Sequence, residues 1–210
     1  MAIKIPPGAR ASFIAAAISM VVGISGTSRS ITALFAPPQA MTRETGEHES
    51  VAMSQALDEL SNVMIEEQHT PMQRAIIGAN AIVSALLFVA GFHLWRRRRN
   101  AVWWMTQASL ANLVYTAADV AIDIFRMHHS PRLVRALSNW IQVTMAANSS
   151  HDNTQVPILS RVDVVTFATF ALIIGGVLRS LVHVWIFWRI RRDDVRAFIA
   201  TPRPSVPPSM

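Results

Sequence analysis

The chain has 210 residues, 51% of them hydrophobic and 15% charged, with a positive mean hydropathy, a balance outside that of an ordinary soluble domain and accounted for most simply by a lipid bilayer. A formal charge of +6 raises nucleic acid as a partner, but the arginines gather at the ends of apolar segments rather than along a polar face, so topology explains them and nucleic acid is set aside. With 0 cysteines, disulfides, thiolate catalysis, iron-sulfur clusters and cysteine-based zinc sites are excluded.

A hydrocarbon core about 30 Å thick takes about 20 helical residues at about 1.5 Å each. Four apolar stretches reach that length: Ala11–Ala36, Ala75–Trp95, Ala101–Phe125 and Val164–Trp188. The first follows Lys4 and Arg10, a pattern shared with signal peptides, and Gly26-Thr27-Ser28 fits a small-x-small cleavage site. Apolar character resumes at Ile31 to Ala36, beyond the roughly 7 to 15 residues of a signal core, so a retained transmembrane helix at about 11–36 is expected. Along it Ala11, Ala15, Ser19, Gly23 and Thr27 recur every fourth residue. Such a ridge of small side chains invites close helix packing, and Gly175, Gly176 and Ser180 of the fourth stretch offer a surface to meet it.

The next connection is acidic and holds an amphipathic helix at about 48–69. Met53, Leu57, Leu60 and Met64 share one face, with Asp58, Glu59, Glu66 and Glu67 largely elsewhere. Thr70-Pro71 then reads as N-cap and first position of the second membrane helix, whose apolar part, about 75–95, closes at Trp95. The run Arg96, Arg97, Arg98 and Arg99 follows at once and marks a membrane boundary.

The third membrane helix, about 101–125, carries Asn112, Thr116, Asp119 and Asp123 at spacings of four, three and four, which places them within an arc of about 60°. A carboxylate at mid-membrane costs on the order of 2.5 to 3.5 kcal/mol, but Asp119 lies about 25 Å along this helix and Asp123 beyond 30 Å. A structural or interfacial polar stripe is therefore the plainer reading, and an ion or proton path the sharper one. Ser130-Pro131 opens a second amphipathic helix at about 131–147, carrying Leu133, Leu137, Trp140, Ile141 and Thr144. Asn148 to Thr154 interrupts the pattern, and Ser160 with Asp163 forms a capping-box signature before the fourth membrane helix, about 162–188. Arg179 on that helix is expected to snorkel toward the basic end rather than pair with Asp119. Trp188, Arg189, Arg191 and Arg192 repeat the tryptophan-arginine boundary. The proline-rich tail 201–210 reads as disordered and cytoplasmic.

These elements make two hairpins, 1–100 and 101–200, each a membrane helix, an amphipathic helix and a membrane helix. Ile-Ile-Gly at 76–78 and 173–175 is a weak internal echo. With the N-terminus inside, Lys4, Arg10, the arginine run, Arg189, Arg191, Arg192, Arg196 and Arg203 share the inner side, as the positive-inside rule requires. Trp95, Trp103, Trp104, Trp185 and Trp188 then mark the inner interface, and both termini are cytoplasmic, with the cell (inner) membrane as the expected location.

His93 and His183 each precede a tryptophan by two and fall at similar depth, so they could ligate haem iron and make the chain a b-type electron-transfer subunit. Interfacial histidines explain the pair more plainly. Glu66, Glu67 and His69, with Asp123, His128 and His129, lack the second Glu-x-x-His of a di-metal site, and a solvated acidic helix end accounts for them, so no metal is expected. The expected fold is all-α, a four-helix transmembrane bundle with two amphipathic helices in the outer loops. The favoured function is that of a non-enzymatic scaffold or complex subunit without a cofactor, with an ion or proton carrier as the alternative. The expected partners are the bilayer, anionic lipid head groups attracted by the basic loop, and a protein partner or a second copy.

Overall fold

The computed structural model describes residues 8–35, 51–68, 70–149 and 161–201. Among these there are seven helices and no strand: α1 (Ala9–Phe35), α2 (Val51–Gln68), α3 (Pro71–Trp95), α4 (Ala101–His129), α5 (Pro131–Ser149), α6 (Arg161–Ile190) and α7 (Asp193–Ala200). Helices α1, α3, α4 and α6 are long and apolar enough to cross a bilayer. Each buries only a minority of its most apolar stretch, down to 11% in α6. Phe167, Phe170, Ile174, Leu178 and Leu181 are among the α6 side chains left exposed, a surface that water would not tolerate and lipid would.

The starts of α3 and α5 follow from local chemistry. Thr70 Oγ1 accepts from the Gln73 N–H at 3.3 Å, and Ser130 Oγ accepts from the Leu133 N–H at 3.4 Å, so each hydroxyl satisfies an orphan donor just ahead of a proline at the first helical position. Ser160, the expected cap of α6, lies outside the described residues, as do 202–210 of the expected tail.

The chain divides into two compact units. The first draws on Met1–Thr32, Gly78–Thr116 and Leu178–Met210. Its core packs Ala11, Ala15 and Ala16 of α1 with Leu87, Ala90 and Leu94 of α3, Met105 and Ala108 of α4, Ile186 and Ile190 of α6, and Val195, Phe198 and Ile199 of α7. Alanines at this seam let backbones approach closely. A Cβ added at Gly23 would lie 2.6 Å from the Phe88 nitrogen and 2.7 Å from the Ser84 oxygen, so the small-residue ridge of α1 lies against α3. Ser19 reaches α4 through Met105 Sδ at 3.5 Å. The sequence pairs this ridge with Gly175, Gly176 and Ser180. Instead, a Cβ at Gly175 would meet nothing within 4 Å, and one at Gly176 would meet Val120 of α4.

Helix α7 is absent from the sequence reading. Val195, Phe198 and Ile199, spaced three and one, are buried on one face, while Asp193 and Asp194 in the first turn suit the positive end of the helix dipole.

The second unit draws on Ala33–Ile77 and Ala117–Val177. Here α2 and α5 pack together, burying Ala56, Leu133, Val134 and Ala136. Their polar pairs, Glu59 with Asn139 and Glu67 with Ser130, rise along one helix as they fall along the other, so the two run antiparallel.

Candidate functional site

In the first unit, polar side chains from four apolar helices meet, with Ser30 buried, Asn80 and Tyr115 half-buried and Arg179 exposed. Asn80 of α3 is the hub. Its Nδ2 donates to Ser30 Oγ of α1 at 2.9 Å, and its Oδ1 accepts from Arg179 Nη2 of α6 at 3.2 Å and from Ser84 Oγ at 3.5 Å. The Arg179 guanidinium also covers the Tyr115 ring of α4 at 5.3 Å, a cation-π contact. Asn80 lies about 22 Å of helix before Trp95, so Arg179 reaches away from the basic end of its helix, against the expected snorkelling. The reason is side-chain direction: helical side chains lean toward the N-terminus of their own helix, here away from Trp188. Asn80 was not singled out from sequence, although Asn80 and Ser84, four apart in an apolar stretch, carry the signal.

The stripe on α4 divides between the units. Asn112 and Thr116 are buried in the first. Asn112 Nδ2 donates to the carbonyls of Val83 on α3, at 3.0 Å, and of Ala108, at 2.9 Å, and Thr116 Oγ1 donates to the Asn112 carbonyl at 2.8 Å. Asp119 and Asp123 belong to the second unit. There Arg126 is the organising cation. It binds Glu67 Oε2 through Nε at 3.1 Å and Nη2 at 2.7 Å, and its Nη1 reaches Gln73 at 3.0 Å and Asp123 at 3.3 Å. The other Glu67 oxygen accepts from Ser130 Oγ. One guanidinium thus ties α2, α3 and α4 together, beside a crevice of about 310 Å³ walled by Leu60, Met64, Leu133, Leu137 and Leu172.

The histidines behave in two ways. His128 and His129 place Nδ1 at 2.9 and 2.8 Å from carbonyls one turn back in α4. His93 and His183, both in the first unit, bury Nδ1 with no hydrogen-bond partner, and the His93 ring lies 6.0 Å from that of Trp104. Among the described residues no three His, Asp or Glu side chains cluster as metal ligands, and His69 lies outside them.

The arginine run is not uniform. Arg97 has φ 53°, a left-handed conformation that ends α3 in a Schellman motif: the Arg98 N–H donates to the His93 carbonyl and the Arg97 N–H to the Leu94 carbonyl, both at 3.0 Å. Its side chain donates from Nη2 to the carbonyls of Phe198 at 2.6 Å and Thr201 at 2.9 Å, and its guanidinium stacks 4.0 Å above the Phe198 ring. Arg97 therefore caps the C-terminal end of α7, satisfying carbonyls that a helix end leaves open, a role beyond the topology anchor expected from sequence. Arg189 and Arg192 approach Asp194 at 3.9 and 3.4 Å, and Arg191 lies over the Phe187 ring. By contrast, Arg96, Arg98 and Arg99 line an open cavity of about 620 Å³ together with Phe92, His93, Asn100 and Trp104.

The chain matches no protein family, no curated protein and no solved structure. Its chemistry is read from its own geometry. The polar belt around Asn80 and the Arg126 cluster are built from groups that bind one another or the backbone, which is how polar residues join helices in a low-dielectric interior. The cavity beside the arginine turn differs, since its cations face open space.

Proposed function

We propose that the chain is a non-enzymatic, multi-pass integral membrane protein that serves as a scaffold or as a subunit of a membrane complex. In this reading α1, α3, α4 and α6 cross the bilayer as a four-helix bundle, α2 and α5 form an amphipathic layer on the outer side, and both termini are cytoplasmic. The observation that carries it is how the polar groups on the apolar helices are used. Asn112 and Thr116 bind backbone carbonyls, and Asn80 binds Ser30, Ser84 and Arg179, so these side chains act as interhelical fastenings. The α2–α5 pair supports a partner-binding role, because a cleft of about 430 Å³ along it is lined by Glu59, Val134, Arg135, Ser138, Asn139 and Gln142, a mixed charged and apolar surface suited to a protein segment.

Haem receives less support. A ligating histidine ordinarily donates its other ring nitrogen to a carbonyl or carboxylate, and neither His93 nor His183 makes such a bond through Nδ1.

Affinity purification in a mild detergent is expected to recover the protein with a single partner or with a second copy, and Glu59→Ala with Arg135→Ala is expected to weaken that recovery. A protein that remains monomeric and alone removes the scaffold reading. Proton or cation flux in liposomes that disappears in Asp119→Asn would replace it with the carrier. A Soret band lost in His93→Ala and His183→Ala would replace it with the electron-transfer subunit.

A further inference from the structure

The cavity beside the α3–α4 turn is lined by three arginines, a histidine, an asparagine and a tryptophan, with no carboxylate in its wall. Arg96, Arg98 and Arg99 form no ion pair with any carboxylate among the described residues. Arg96 packs over the Phe92 ring at 4.7 Å, and among the described residues the Arg98 side chain makes no hydrogen bond or ion pair. The fourth arginine, Arg97, is turned away and committed to α7, and its left-handed backbone directs the residues on either side of it. His93 also lines the cavity, its Nδ1 buried beneath the surface. Three uncompensated guanidinium groups around one concavity repel one another unless an anion lies among them. The planar guanidinium fork pairs best with phosphate or carboxylate oxygens, and pairs with both oxygens at once.

The surroundings select the source of that anion. Trp104 lines the cavity, and the exposed Trp103 ring packs against it edge-on at 5.1 Å, an aromatic signature of headgroup depth. Phe92 is exposed at the rim, where an acyl chain would descend along α3. A soluble phosphate would have no use for these apolar neighbours. We propose that this cavity binds the phosphodiester of an anionic phospholipid, held by Arg96, Arg98 and Arg99, with Asn100 as a further hydrogen-bonding group and His93 in the wall. The proposal rests on the membrane reading above and is independent of the scaffold role.

The test uses the full chain reconstituted in phosphatidylcholine nanodiscs containing phosphatidylglycerol, with lipid retained on the protein measured by native mass spectrometry. Wild type is expected to retain phosphatidylglycerol in preference to phosphatidylcholine. Arg98→Gln, which removes no hydrogen bond or ion pair among the described residues, is expected to reduce retention several-fold. Arg96→Gln, Arg98→Gln and Arg99→Gln together are expected to reduce it on the order of a hundredfold, since each basic residue near the surface adds to the attraction for anionic lipid. A charge-matched control, Arg10→Gln, Arg191→Gln and Arg196→Gln, changes exposed arginines on the same side of the proposed topology but outside this cavity and is expected to retain the lipid. Equal loss in the two triple variants, or no loss in Arg98→Gln, overturns the site in favour of diffuse surface charge. Displacement of the lipid by millimolar inorganic phosphate overturns the headgroup assignment in favour of free phosphate. Carbonate extraction of native membranes reads separately whether the chain is integral, so failure of the membrane reading and failure of the site are distinguishable.

Discussion

Arg97 holds φ 53°, a region where a non-glycine residue carries a steric cost of about 1–2 kcal/mol. It keeps that conformation because its guanidinium then reaches the carbonyls of Phe198 and Thr201, each a charge-assisted bond of about 1.5–3 kcal/mol where shielded from water. Arg97→Ala is therefore expected to lower stability by about 2–3 kcal/mol, after allowance for the exposed Thr201 contact. Arg97→Gly loses the same bonds but relieves the backbone, and is expected to cost about 1 kcal/mol less. Thermal unfolding of the two variants in one detergent checks the order, and a glycine variant no more stable than the alanine variant would remove the strain from the account. Sequence alone exposed the four arginines and their boundary role. It could not single out Arg97, because the distinction comes from carbonyls 101 and 104 residues away.

Among the elements, the four long apolar helices lie where apolar spacing puts them, with ends displaced by a few residues, and α3 and α5 begin at Thr70-Pro71 and Ser130-Pro131. Those features are local, and so are the rules that read them. Partner choice is not local, which is why the α1 ridge could be found but its seat on α3 could not. The seat is shaped by the backbone of Ser84 and Phe88, and nothing in the spacing of those residues names α1 as the helix they receive. Gly23→Ala is expected to destabilise by about 1–3 kcal/mol because the new methyl meets α3 backbone, whereas Gly175→Ala, facing open space, is expected to change stability by less than about 1 kcal/mol. Detergent-resistance half-lives or reversible unfolding in mixed micelles compare them, and equal effects would contradict the packing described. Helix α7 escaped notice because eight residues make too short a periodic pattern beside the charged run that precedes them, although Val195, Phe198 and Ile199 already carried its buried face.

For the whole molecule, the absence of cysteine makes the native chain its own background for accessibility mapping. With Ala52→Cys on α2 and Ala200→Cys on α7, the proposed topology predicts that an impermeant maleimide labels the first in intact cells and the second only after permeabilisation. The reverse pattern would invert the chain in the membrane, and labelling of both from one side would refute an odd number of crossings between them. The Arg97 contact with α7 also has a consequence in time. The turn that ends α3 is synthesised about 100 residues before the carbonyls its side chain caps, an interval on the order of 5–20 s at ordinary elongation rates. During that interval Arg97 sits in a strained conformation without its partners, or in a relaxed one it must later leave. The α2–α5 pair is complete once residue 149 has been made, but the unit that holds the arginine turn closes only with the last helix. A ribosome stalled before residue 193 would leave a chain whose basic turn is unlatched, its Arg97 guanidinium without the carbonyls it caps.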